Sequence, residues 1–126
     1  MKLIIIFKRL VLINFFITLF FVFSSFLIPD SEKVRYFNKS VDVDDSLLIL
    51  GVLWIIALFI TSYLLYTFKK IGKRMFLYIF LTGLILAILY GPIAFDPLFY
   101  FLDGVTMSIS GALLLMLYFT PISKKF

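Results

Sequence analysis

The sequence predicts an all-α membrane protein: four transmembrane helices in an antiparallel bundle, with both termini cytoplasmic. Three observations carry this. Four apolar runs, at 10–28, 47–68, 75–94 and 98–120, fill most of the 126-residue chain. Each is close to the roughly 20 residues that a helix needs to cross about 30 Å of hydrocarbon. The chain is 63% hydrophobic with a mean hydropathy of +1.15, so a soluble fold would leave far too much apolar surface in water. The charges between the runs fall on alternate sides. Lipid requires backbone groups to pair internally, which leaves helices or a closed barrel. Barrel strands are about ten residues long and alternate in polarity. These runs are about twice that length and apolar on every face, so helices are expected.

The first helix is expected over about 3–28. Lys8 and Arg9 lie within it and can snorkel to head groups. A cleaved signal peptide fits poorly: its apolar part would be about 19 residues against a usual 7–15, and no A-x-A-like site follows. Pro29, Asp30 and Ser31 end the helix. The outer loop, 29–45, carries eight charged residues among 17, with aromatics that suit an interfacial position. Asp44, Asp45 and Ser46 precede helix two, expected over 46–68, and read as N-caps in place of a cation site, because an EF-hand's central Gly and closing Glu are missing. Asn38-Lys39-Ser40 matches the N-glycosylation pattern. The link Lys69-Lys70-Ile71-Gly72-Lys73-Arg74 is short enough to force a hairpin into helix three, expected over 74–94. Gly91-Pro92 and Asp96-Pro97 bracket a second tight turn into helix four, expected over 97–120. What remains is too small for a further domain, so 1–126 is expected to be one membrane domain.

Charge orients the bundle. Nine of the 12 basic residues, Lys2, Lys8, Arg9, Lys69, Lys70, Lys73, Arg74, Lys124 and Lys125, fall on one side. Lys33, Arg35 and Lys39 fall on the other, with Asp30, Glu32, Asp42, Asp44, Asp45 and Asp96. The loops are short, so the positive-inside rule predicts a multi-pass protein of the bacterial inner membrane, N-in and C-in. The net charge of +5 flanks helices, which points to the lipid bilayer as partner and away from nucleic acid. Lys69, Lys70, Lys73 and Arg74 are expected to attract anionic lipid, at about 1 kcal/mol each near the surface.

Chemistry is sparse. The chain has neither Cys nor His, which excludes disulfides, thiol redox chemistry, histidine-ligated haem and His/Cys metal sites. No cofactor, no metal and no catalytic set is expected. Asp103 is the one acidic residue inside an apolar run, about 9 Å past Pro97 at 1.5 Å per residue. An intramembrane carboxylate is costly and is a functional hypothesis by default; the plainer reading is a shallow Asp bonded to Ser, Tyr or Trp neighbours. Trp54, Tyr90 and Ser108 are the residues expected to share a polar site with it, although aromatic belts account for most Trp and Tyr at helix ends. Small residues form two rows, Gly83, Ala87 and Gly91 on helix three and Gly104, Ser108 and Gly111 on helix four. Such rows let backbones approach closely in lipid, within the chain or against another subunit. Asn14, one turn from Thr18, is expected to bind helix one to a neighbour.

Three function classes follow. An enzyme is weakest, because one Asp without a partner at its depth makes no mechanism. A small transporter or channel using Asp103 is the alternative. The nine-to-three split opposes the dual topology of many small exporters, and where small multidrug exporters carry a glutamate in helix one this chain has Asn14. A non-enzymatic accessory or regulatory subunit, working through helix–helix contacts with a membrane-protein partner or a second copy, fits the small-residue rows best.

Overall fold

A computed structural model describes residues 2–27, 45–90 and 97–126. They form four α-helices: α1 (Lys2–Leu27), α2 (Asp45–Tyr66), α3 (Lys70–Tyr90) and α4 (Pro97–Phe119), closed by a 3-10 turn at Pro121–Lys125. All four are long and apolar enough to cross a membrane. Most of the outer loop, with Asn38, and the turn at 91–96, with Gly91 and Asp96, lie outside the described residues.

Helix pairs α2–α3 and α1–α4 pack most extensively, α1 also meets α2, and α3 touches α4 less than any of these. Single contacts give the register. The ammonium of Lys8 sits 4.6 Å from the Tyr66 ring centre, and Phe15 lies 5.2 Å from Phe59, centre to centre. Seven residues forward along α1 therefore match seven backward along α2. Likewise Gly72 lies against Leu64 and Gly83 against Trp54, so the α2 positions fall as the α3 positions rise.

The core sits at one end. Phe7, Val11, Leu65, Phe76, Leu113, Met116, Leu117 and Ile122 form one buried cluster. Every one lies in the half that carries Lys8, Arg9, Lys69–Arg74 and Lys124–Lys125, called here the basic end. Towards the other end the side chains turn outward: Leu84, Ile85, Ile88 and Leu89 of α3, and Tyr100, Phe101 and Met107 of α4, are exposed. Apolar exposure on this scale would be a fault in water and is what lipid-facing helices require.

The basic end differs from its sequence reading. The link between the second and third helices is three residues, Thr67 to Lys69, because α3 begins at Lys70. Lys70 and Lys73 thus occupy the first turn of a helix, and Arg74 follows directly. Phe68 makes so short a link workable. Its φ of 55° is left-handed, and the amides of Phe68 and Lys69 donate to the carbonyls of Leu65 and Leu64 at 3.1 and 2.9 Å. This is the Schellman pattern, which satisfies the last carbonyls of α2 and usually employs Gly at the left-handed position. A non-glycine residue there costs roughly 1–2 kcal/mol. The Phe68 ring offsets that cost by packing 5.7 Å from Phe7 and 5.3 Å from Phe126. Gly72 completes the hairpin: a Cβ on it would stand 2.8 Å from Leu64 Cβ and 2.9 Å from the Leu64 backbone carbon. At the C-terminus, Pro121 stops α4 because it lacks the N–H that a further turn needs. Thr120, extended at φ −119°, caps the following 3-10 turn by accepting from the Ile122 amide. The turn folds Ile122 into the core.

Candidate functional site

The polar groups of the apolar segments gather in three places. The first is the α2–α3 contact. Trp54 Nε1 donates to the Ile79 carbonyl at 2.9 Å. Thr82 Oγ1 donates to the same oxygen at 3.0 Å. A carbonyl inside a helix is normally screened by the side chain four residues on. Here that residue is Gly83, and a Cβ built on it would meet Trp54 Cζ2 at 2.8 Å. The missing side chain therefore seats the indole and opens the carbonyl to it. Gly83 lies in a small-residue row, as the sequence indicates, and its neighbour is an aromatic ring of α2. Ala87, one turn further, is exposed.

The second is a set of buried polar side chains on α1 and α2. Asn14, Thr61 and Ser62 are buried, at 2%, 0% and 4% exposure. The two hydroxyls donate to carbonyls of their own helix, those of Ala57 and Leu58. Thr18 does the same towards the Asn14 carbonyl. Asn14 Oδ1 is buried and has no hydrogen-bond partner among the described residues. Its expected bond to a neighbouring helix is therefore not made by that oxygen.

The third is the first half of α4. Asp103 is half-buried and makes no hydrogen bond with the described residues. Trp54 and Ser108 do not join it. The Trp54 N–H is taken by Ile79, and the exposed Ser108 hydroxyl donates to the Gly104 carbonyl at 2.8 Å. The Tyr90 side chain lies outside the described residues. Trp54 and Ser108 thus give their donors to backbone carbonyls, because in an apolar medium a donor takes the nearest free carbonyl. Gly104 and Gly111 open outward: a Cβ on either meets no atom within 4 Å. Among the described residues, none comes within 4 Å of a side chain's first carbon at these two positions.

The basic end is more organised than any of these. Lys73 Nζ donates to Ser123 Oγ at 2.6 Å and stands 4.7 Å from the Tyr118 ring centre. The Tyr118 hydroxyl makes a long contact, 3.4 Å, to the Lys73 carbonyl. Ser123 is fifty residues away in sequence. Its pairing with Lys73 needs both the early start of α3 and the fold-back after Pro121, neither of which is legible in the charge pattern. Lys69 and Lys70 are exposed.

Searches against protein-family models, curated proteins and solved structures gave no match to the chain.

Proposed function

We propose that the chain is an antiparallel four-helix bundle of a bacterial inner membrane, with both termini cytoplasmic. We propose further that it acts as a non-enzymatic accessory or regulatory subunit through helix–helix contacts. One observation carries the second statement: the outward opening of Gly104 and Gly111 on α4. Glycine costs a helix interior about 1 kcal/mol relative to alanine, so a row of it is retained at little benefit unless another backbone comes close. The topology rests on the opposed register of α1 with α2 and of α2 with α3, and on the nine basic residues at a single end. Short basic loops stay in the cytoplasm.

Purification in mild detergent followed by mass spectrometry tests the subunit role. A membrane protein should co-purify reproducibly with the wild type and be lost from Gly104→Leu/Gly111→Leu, where an added Cβ meets no described atom within 4 Å. A variant that keeps its partner, or a wild type that never has one, overturns the reading. For the topology, a reporter active only in the periplasm should be silent at the C-terminus and active when inserted at 30–46.

Asp103 favours a second reading, a small transporter or channel. A half-buried carboxylate without a partner among the described residues is costly in an apolar span. Asp103→Asn should then abolish ion or proton flux in proteoliposomes while expression persists. Unchanged flux, or none in the wild type, eliminates this alternative.

A further inference from the structure

We propose that the notch between the first turn of α3 and the C-terminal 3-10 turn is a binding site for a phosphate group, carried by a lipid head group or by a soluble phosphate. The notch is a cavity of about 340 Å³ lined by Lys70, Lys73, Arg74, Tyr118, Ser123 and Phe126. That is the low end of the roughly 300–1,000 Å³ of small-molecule sites. It has room for a phosphate and its immediate ester, while acyl chains would remain outside.

Its chemistry is one-sided. Lys70, Lys73 and Arg74 stand three and four residues apart, so they share a face of α3. No acidic residue lies in that first turn. The two acidic residues among those described, Asp45 and Asp103, belong to the opening turns of α2 and α4. Lys70 and Lys73 thus sit at the positive end of a helix dipole, where cations are disfavoured, with Arg74 just beyond. An anion in the notch relieves both the mutual repulsion and the unfavourable dipole contact. Lys73 is held in position for that role, and the exposed Lys70 and Arg74 stand beside it. Ser123 Oγ and the Tyr118 ring hold the Lys73 ammonium in place without neutralising it. Arg74 brings a planar fork that matches two phosphate oxygens. Ser123, with a hydroxyl hydrogen of its own, can donate a further bond. A stretch of basic residues on a surface needs none of this tertiary arrangement. Lys124 and Lys125 are such residues: they are exposed, close in sequence to Ser123, and absent from the notch lining.

Amine acylation read residue by residue by mass spectrometry tests the site, on the full chain in maltoside micelles, which contain no phosphate. Phosphatidic acid, or inorganic phosphate at matched ionic strength, is added. Lys73 acylation should slow by about fivefold, on the scale of the attraction between one basic residue and an anionic head group, while Lys124 and Lys125 change much less. Protection by phosphatidic acid alone assigns a lipid head group; protection by both assigns phosphate from either source. Ser123→Ala and Arg74→Gln should each weaken the protection in protein whose single indole N–H resonance is unmoved. Equal protection of Lys73, Lys124 and Lys125, or none at Lys73, overturns the proposal. Full protection retained in both variants does the same.

Discussion

Gly83→Ala offers a direct test of how α2 and α3 are joined. The added methyl would stand 2.8 Å from Trp54 Cζ2 and 3.3 Å from Cε2, where ordinary contact begins at 3.4 Å. The indole is rigid and cannot bend a terminal atom away, so the whole ring must withdraw by about 0.6 Å, which carries an overpacking cost of about 1–3 kcal/mol. The same withdrawal stretches the 2.9 Å bond from Trp54 Nε1 to the Ile79 carbonyl towards the limit of hydrogen bonding. In membrane helices such a bond contributes about 0.6 kcal/mol. Alanine's better helix propensity offsets up to about 1 kcal/mol. The net expectation is a loss of about 1–2 kcal/mol, measured by reversible unfolding in mixed micelles. Trp54 is the chain's single tryptophan, so its one indole N–H resonance reports the bond and should move upfield. Trp54→Phe removes both the donor and the Cζ2 atom. In that background Gly83→Ala should cost nothing, a coupling of at least about 1 kcal/mol between the two positions. A Gly83→Ala protein as stable as wild type, with its indole resonance in place, would refute the reasoning.

At Gly72 the clash is with backbone that cannot yield, so Gly72→Ala should part α2 from α3 and lower stability by about 2 kcal/mol or more in the same unfolding assay. Asn14→Leu replaces a buried, unpartnered carbonyl oxygen by apolar atoms of similar size, and stability should hold or rise by about 1 kcal/mol; a clear fall would mean that the oxygen is bonded in the membrane. Phe68→Gly relaxes the left-handed strain yet removes two ring contacts of about 0.5–1.5 kcal/mol each together with their burial, so a net destabilisation is expected, and a more stable protein would mean that the Phe7–Phe68–Phe126 cluster holds nothing together.

How much of this is legible in the sequence varies by residue. The spans of α1 and α4 are plain, because about twenty apolar residues between charged or breaking ones leave little choice. The start of α3 is not. Lys70, Gly72 and Lys73 look like a loop by polarity, and only the Schellman turn at Phe68 shows that the helix begins at once. Phe68 gives no advance sign, because left-handed backbone is a glycine habit and its cost here is offset by rings from both chain termini. Gly83 was visible as a small residue in a row, but a row does not name its neighbour.

Composition and charge order alone determined that this chain has four helices able to span a membrane and that nine of its basic residues flank them before the first, between the second and third, and after the fourth. Hydrophobic length and charge placement are properties of each segment, summed along the chain, and need no knowledge of what a segment touches. The tertiary structure decided the rest: that Gly83 receives Trp54, that Gly104 and Gly111 face outward, that Asn14 is buried with no partner for its oxygen among the described residues, and that Ser123 meets Lys73. In a chain apolar on every helix face no amphipathic stripe marks the side that packs, so side-chain shape and the few free carbonyls choose the neighbours, and both exist only once the helices are assembled.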